Sequence, residues 1–233
     1  MVKARSLLDS FRFAIDGLVH LLRTHRHARY HFALIAAVLL LALALRVSPL
    51  ELALVVVVIG LVLVAELFNT AVEVMVDLAT ESYHPLAKVA KDVAGAAVLV
   101  ASAVAVVVGA AVFLDPQKWQ RAIHEPGPHP GVMQLTLVGA ILVALLVVLG
   151  KLRGRRGTLI RGGVISGHSA LAFFFFSSIL YLTPDVLVRA LAFALAFLVC
   201  QSRVDAGVHS VKEVLLGALV ALVITLFLFL VLA

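Results

Sequence analysis

Residues 50–78 read LELALVVVVIGLVLVAELFNTAVEVMVDL, an apolar run that turns polar along one side in its second half. An α-helix needs ~20 apolar residues to cross a ~30 Å hydrocarbon core, and this run supplies them. At the helical period, Glu66, Asn69, Thr70, Glu73 and Asp77 fall on one narrow stripe. Carboxylates and an amide do not face lipid. They face partner helices, a metal ion or a water-filled cleft, and ionisable groups in a span are by default a hypothesis about function. A network of hydrogen bonds between helices is the plainer reading of the same stripe.

The rest of the chain has the same character. Of its 233 residues 63% are hydrophobic and 14% charged, and the mean hydropathy is +1.14. A soluble domain carries far more polar surface, so the fold class is an all-α polytopic membrane protein. Spans are expected at 31–47, 50–78, 86–114, 132–150, 168–183, 185–201 and 211–232. Ahead of them, Leu7, Leu8, Phe11, Ile15, Leu18, Val19 and Leu22 follow helical spacing, so 5–24 is expected to be an amphipathic helix lying in the interface. Pro116, Pro126, Pro128 and Pro130 mark residues 115–131 as an extracytoplasmic linker. It divides an N-terminal domain, 1–114, with three spans from a C-terminal domain, 132–233, with four.

Cys200 is the only cysteine, which excludes an intramolecular disulfide and a thiolate metal cluster. The net charge of +6 comes with no nucleic-acid recognition module. Its basic residues instead gather in loops on one side of the spans. Lys3, Arg5, Arg12, Arg23, Arg26, Arg29, Lys88, Lys91, Lys151, Arg153, Arg155, Arg156, Arg161, Arg203 and Lys212 face Arg46, Lys118, Arg121 and Arg189 on the other side. The richer side is expected to be cytoplasmic, in a bacterial inner membrane, with the N-terminus inside, the C-terminus outside and both polar clusters open to the cytoplasm.

The first cluster suits phosphoryl transfer. One carboxylate can take the proton of an attacking hydroxyl, another can hold a cation bridging nucleotide phosphates, and a lysine can neutralise phosphate oxygens. The pattern E-x-x-N-[ST]-A-[IV]-E-x-x-x-D, a short loop with a histidine, and K-D-x-x-x-A-A-V resembles the small prokaryotic diacylglycerol kinase and undecaprenol kinase family. Here these are Glu66, Asn69, Thr70, Ala71, Val72, Glu73, Asp77, His84, Lys91, Asp92 and Ala96-Ala97-Val98. The resemblance covers residues 5–114. It implies Glu66 as general base, Glu73 as metal ligand, and Asn69, Lys91 and Asp92 in an ATP site. It also implies a homo-oligomer, a trimer with shared active sites. Where the family has an acidic residue before the first span, this chain has His25. Imidazole suits Zn²⁺ or Mn²⁺ better than Mg²⁺, so His25 is a candidate metal ligand and the kinase is expected to be altered in metal preference, weak or inactive. His20, His25, His27 and His31 otherwise read as surface or interfacial residues.

The second cluster is Ser166-Gly167-His168, Ser202-Arg203, His209 and Glu213. His209 and Glu213 are four residues apart, so on a helix the carboxylate can accept from one ring nitrogen while the other attacks phosphorus. His168 at a helix start can protonate a departing alkoxide, the N–H groups there favour an anion, and Arg203 can grip phosphate oxygens. S-G-H followed by S-R-x-x-x-x-x-H-x-x-x-[DE] resembles the type-2 phosphatidic acid phosphatase superfamily. By that resemblance His209 is the nucleophile of a phosphohistidine intermediate, His168 the general acid, Glu213 the orienting carboxylate, and Arg203, Ser166 and Gly167 phosphate binders, with no metal or other cofactor. Glu213 stands where Asp is usual. Arg161 and Lys151 are the candidates for the basic opening motif, whose usual form is missing, although a basic loop that sets topology explains most of the arginines there equally well. Four spans make this a minimal version of the fold. The whole chain reads as a fusion whose substrates are a lipid alcohol and a lipid phosphate or diphosphate. The alternative is a phosphatase whose kinase-like half is a non-catalytic oligomerisation scaffold.

Overall fold

A computed structural model describes residues 7–24, 26–80, 82–124, 130–153 and 165–231; the side chains of 7–9, 11–12, 26–28, 151, 153 and 231 lie outside the description. Among the described residues there are nine α-helices and no strand, as the hydropathy pattern requires. They are α1 (Leu7–Thr24), α2 (Arg26–Ala44), α3 (Pro49–Ala79), α4 (Pro85–Phe113), α5 (Pro116–His124), α6 (Val132–Arg153), α7 (Gly167–Leu182), α8 (Val186–Asp205) and α9 (Val211–Val231). The protein is an all-α polytopic membrane protein. α3, α4, α6, α8 and α9 are each long and apolar enough to cross a membrane.

The two other expected spans are shorter. The axes of Phe13–Thr24 and Arg29–Ala44 meet at 107°, so α1 lies across α2 and does not continue it. α7 has 16 residues, about 24 Å at 1.5 Å per residue. It packs against α6, α8 and α9, and a helix buried largely against protein has less need to match the lipid thickness.

Local signals place the helix starts. Ser48 accepts from the Glu51 N–H while Glu51 accepts from the Ser48 N–H, and Pro49 opens the first turn of α3, a reciprocal cap. His84 caps α4, its Nδ1 accepting from the Leu86 N–H at 3.2 Å. Arg46, at φ 51°, closes α2. The Val47 N–H reaches the Ala42 carbonyl at 3.1 Å and the Arg46 N–H reaches Leu43 at 3.0 Å, the paired bonds of a helix end where glycine is usual.

The proline-rich connection contains a helix that proline content alone does not foretell. Pro116 opens α5 and Asp115 accepts from the Gln117 N–H at 2.9 Å. Lys118 Nζ then donates to Glu51 at 2.6 Å and to the Val112 carbonyl at 2.8 Å, and Trp119 Nε1 donates to the Phe113 carbonyl at 2.7 Å. Gln134 Nε2 donates to the Val47 carbonyl at 2.8 Å, which ties α6 to the same end.

One hydrophobic core runs through both halves. Leu39 and Leu43 of α2 share it with Leu135, Val138 and Val143 of α6, Phe174 of α7 and Leu228 of α9. Gly139 makes room for the Phe174 ring: a Cβ there would stand 2.4 Å from Phe174 Cζ and 2.7 Å from Leu228 Cδ1. A second cluster joins Leu21 and Leu22 of α1 and Phe32 of α2 to Leu63, Leu145, Val148, Leu149 and Leu152. The apolar face of α1 is therefore covered partly by α6.

This second cluster fixes the relative depth of the two polar regions. Leu63 lies one turn before Glu66, and Phe32 follows His31. On α6, Val147 meets Gly167, a Cβ on which would stand 2.9 Å from Val147 Cγ1. The Glu66 region and the start of α7 thus lie toward the same end of the molecule, opposite Lys118 and Gln134.

Candidate active sites

The second half of α3 carries the first cluster. Asn69 Nδ2 donates to Glu73 Oε1 at 2.9 Å, and Thr70 is buried. Asp77 accepts from Lys91 Nζ at 2.5 Å, so the first turns of α4 reach back to α3. Asp92 turns the other way and pairs with Lys88 at 2.6 Å. Glu66 Oε1 lies 3.3 Å from His31 Nδ1. That distance suits an ion pair, but the alignment of a hydrogen bond is not met, and Nδ1 is buried without a hydrogen-bond partner. His31 was expected among surface or interfacial histidines. Its contact with the carboxylate could not be read from sequence because the two residues are 35 positions apart.

The donors on this stripe suit a hard cation. Asn69 Oδ1 is buried without a partner beside the Glu73 carboxylate, an all-oxygen pair of the kind that holds Mg²⁺ together with substrate phosphates and water. Among the described residues no three His, Cys, Asp or Glu side chains gather as a complete metal cage. His25 lies outside the described residues.

Below His31, the helices α2, α3 and α4 enclose an apolar groove of about 290 Å³ that runs to Phe113.

In the second cluster the polypeptide backbone does most of the positioning. His209 Nδ1 and Glu213 Oε2 are 2.8 Å apart, with the histidine side chain only 6% exposed. Glu213 Oε2 also accepts from the Ser210 N–H at 3.2 Å, and the Glu213 N–H donates to Ser210 Oγ at 3.4 Å. The carboxylate is thus held by a cap at the start of α9 as well as by the ring. Two backbone bonds bring in the other elements. The His209 N–H donates to the Arg203 carbonyl at 3.2 Å, and the Ser166 N–H donates to the Glu213 carbonyl at 3.0 Å. Gly207, at φ +63°, makes the turn between α8 and α9 in the left-handed region that glycine enters freely.

α8 runs to Asp205, so Ser202 and Arg203 lie within its last turn, where a cation meets the carbonyl end of the dipole. Arg203 Nε donates to Ser202 Oγ at 3.1 Å. Ser166 caps α7, accepting from the Ser169 N–H at 3.4 Å and from Ser169 Oγ at 3.0 Å. His168 stands in the first turn with its side chain exposed. Arg161 lies outside the described residues. Lys151 lies in the last turn of α6, its side chain outside the description.

Sequence spacing gave no sign of Gly217. A Cβ there would stand 2.6 Å from the Ser166 carbonyl oxygen and 3.2 Å from the Ala170 nitrogen. This glycine lets α9 approach α7 closely enough for Ser166 to reach Glu213.

The architecture defines a multi-pass membrane protein that carries one polar cluster in each half. Comparison with known proteins gives each module its family. The family described as prokaryotic diacylglycerol kinase matches residues 12–113, and the PAP2 superfamily matches residues 150–233. Over 114 residues the chain is 42% identical to a diacylglycerol kinase of Synechocystis sp., covering 48% of this chain and 65% of that protein. Over 105 residues it is 39% identical to an undecaprenol kinase of Bacillus subtilis, covering 45% of this chain and 85% of that protein. A diacylglycerol kinase of Pseudomonas aeruginosa is 34% identical over 110 residues, 47% of this chain and 89% of that protein. The chain belongs to the prokaryotic diacylglycerol kinase family through its N-terminal half, fused to a PAP2 superfamily domain. No solved structure gives a significant match.

Proposed function

We propose that the C-terminal half hydrolyses a lipid phosphate or diphosphate through a phosphohistidine, and that the N-terminal half phosphorylates a lipid alcohol, diacylglycerol or undecaprenol, with ATP. Both sites are assigned to the cytoplasmic leaflet of a bacterial inner membrane, on the strength of the loop charges.

The observation that carries the phosphatase reading is the His209–Glu213 pair at 2.8 Å, joined by backbone bonds to Arg203 and Ser166. Glu213 holds the proton on Nδ1 and leaves the Nε2 lone pair for attack on phosphorus. Arg203 and the N–H groups at the start of α7 hold the non-bridging oxygens. As the Nε2–P bond forms, the P–O bond to the leaving group breaks, and His168 gives that oxygen its proton. Water then attacks the phosphohistidine, returns a proton to His168 and releases phosphate. Arg161 and Lys151 are assigned to the same phosphate by family resemblance.

In the kinase half Glu66 removes the hydroxyl proton of the lipid alcohol, whose tail lies in the α2–α3–α4 groove. Its oxygen attacks the γ-phosphorus and ADP departs. Lys91, Asp92 and Asn69 hold the nucleotide. Glu73 and the Asn69 oxygen would hold a divalent cation, Mg²⁺ or, if His25 contributes, Mn²⁺ or Zn²⁺, which neutralises charge on the nucleotide phosphates. The phosphatase half is assigned no cofactor. A homo-oligomer, with a trimer implied by the family, would cover apolar side chains that α3 and α4 leave exposed, such as Phe68 and Val93.

Hydrolysis of a monophosphate would cancel the work of the kinase half on the same lipid. Hydrolysis of a diphosphate would not, because both halves would then deliver the monophosphate. The alternative reading, a scaffold in the N-terminal half, is favoured by His25 at the position where the family has an acid. A lipid-phosphate panel assayed with and without ATP tests all of this. Phosphate release that survives His209→Ala ends the phosphatase reading. Absence of ATP-dependent product with Mg²⁺, Mn²⁺ or Zn²⁺ favours the scaffold.

A further inference from the structure

We propose that His31 is a positioning residue for the kinase reaction, an imidazole that sets the orientation of the Glu66 carboxylate at the mouth of the lipid groove. The inference rests on the kinase reading above and names a residue that this reading does not use.

Three observations converge on it. His31 Nδ1 lies 3.3 Å from Glu66 Oε1 and is buried, with no hydrogen-bond partner of its own. Among the described residues Glu66 has no other ion pair or side-chain hydrogen bond. The same imidazole lines the apolar groove with Val38, Val58, Val62 and Val106, the only other polar lining residue among those described being Ser102. A lipid alcohol with its tail in the groove therefore brings its hydroxyl past His31 to reach Glu66.

A glutamate side chain in a cleft without a partner samples several rotamers. A base must stand within hydrogen-bond reach of the proton it takes. An N–H from His31 to one carboxylate oxygen fixes the group and leaves the other oxygen for the hydroxyl. The 3.3 Å separation, too poorly aligned for a hydrogen bond, tightens when substrate fills the groove, as catalytic contacts commonly do. His31 touches neither reacting atom, so its effect falls on turnover through Glu66.

The test uses the full-length protein in lipid nanodiscs, with diacylglycerol or undecaprenol, ATP and Mg²⁺, and follows kcat and KM for both substrates. His31→Phe keeps a ring against the groove but has no N–H, while His31→Asn keeps an N–H of similar reach. The Phe variant should lose about 10- to 100-fold in kcat, the scale expected of a misplaced catalytic group, with KM for ATP unchanged. The Asn variant should recover most of that loss. Phosphate release dependent on His209 checks that each variant is folded. Wild-type kcat in the Phe variant overturns the proposal, as does an equal loss in both variants, which marks a structural role. If the wild type makes no product while its phosphatase is active, the kinase reading itself falls, and the positioning role falls with it.

Discussion

In the C-terminal half, α6 and α9 bury 33% and 39% of their apolar windows inside the molecule, whereas α3 and α4 of the N-terminal half, like the outer helix α8, bury 11% each. The C-terminal bundle closes around α7, and its candidate site is held by main-chain bonds between three helix ends. The N-terminal cluster stands on a long hairpin that is largely open to its surroundings, held by side-chain pairs such as Asn69–Glu73 and Lys91–Asp77. Main-chain bonds define a geometry within one chain. Side-chain pairs on an open hairpin leave geometry to be completed by substrate, cation or a second copy.

The sharpest way to break this contrast is His209→Ala. It should lower phosphate release by at least ~10³-fold, since loss of a nucleophile removes the covalent route, and leave ATP-dependent phosphorylation unchanged in the same preparation. Gly217→Ala comes next. Its methyl meets backbone at Ser166, so the start of α7 must shift; a displacement near 1 Å costs roughly 10²-fold, read as lost phosphate release with kinase activity retained. Equal loss of both activities would mean that the halves do not hold their sites independently. Gly139→Leu should destabilise the C-terminal bundle by about 1–3 kcal/mol through overpacking against Phe174, seen as a lowered Tm in detergent. The smallest effect is expected at the buried Ser177–Thr225 pair, whose hydroxyl oxygens are 2.7 Å apart. Thr225→Val should cost only ~0.6 kcal/mol, the average for hydrogen bonds inside membrane bundles.

Most of the helices were legible because each is a long apolar run, and the motif residues were legible because their spacing is local. His209 and Glu213, four residues apart, needed only the helical period to be paired. What remained hidden depends on the approach of distant segments. Nothing in the residues around His31 announces Glu66, and Gly217 resembles any small residue in a membrane helix until Ser166 is seen against it. α5 was hidden for a different reason, since the same prolines that break helices also open them. The reach of α8 to Asp205 was missed because the continuous apolar run ends at Cys200, while the helix carries its mostly polar end from Gln201 to Asp205.

The packing of Leu63, Val148 and Leu149 around Leu21, Leu22 and Phe32 has a bearing on traffic between the halves. Under the function proposed above, an amphiphile leaving either cluster would find the other by sideways diffusion within one monolayer. No flip-flop would then be required, and the two modules would draw on a common local pool.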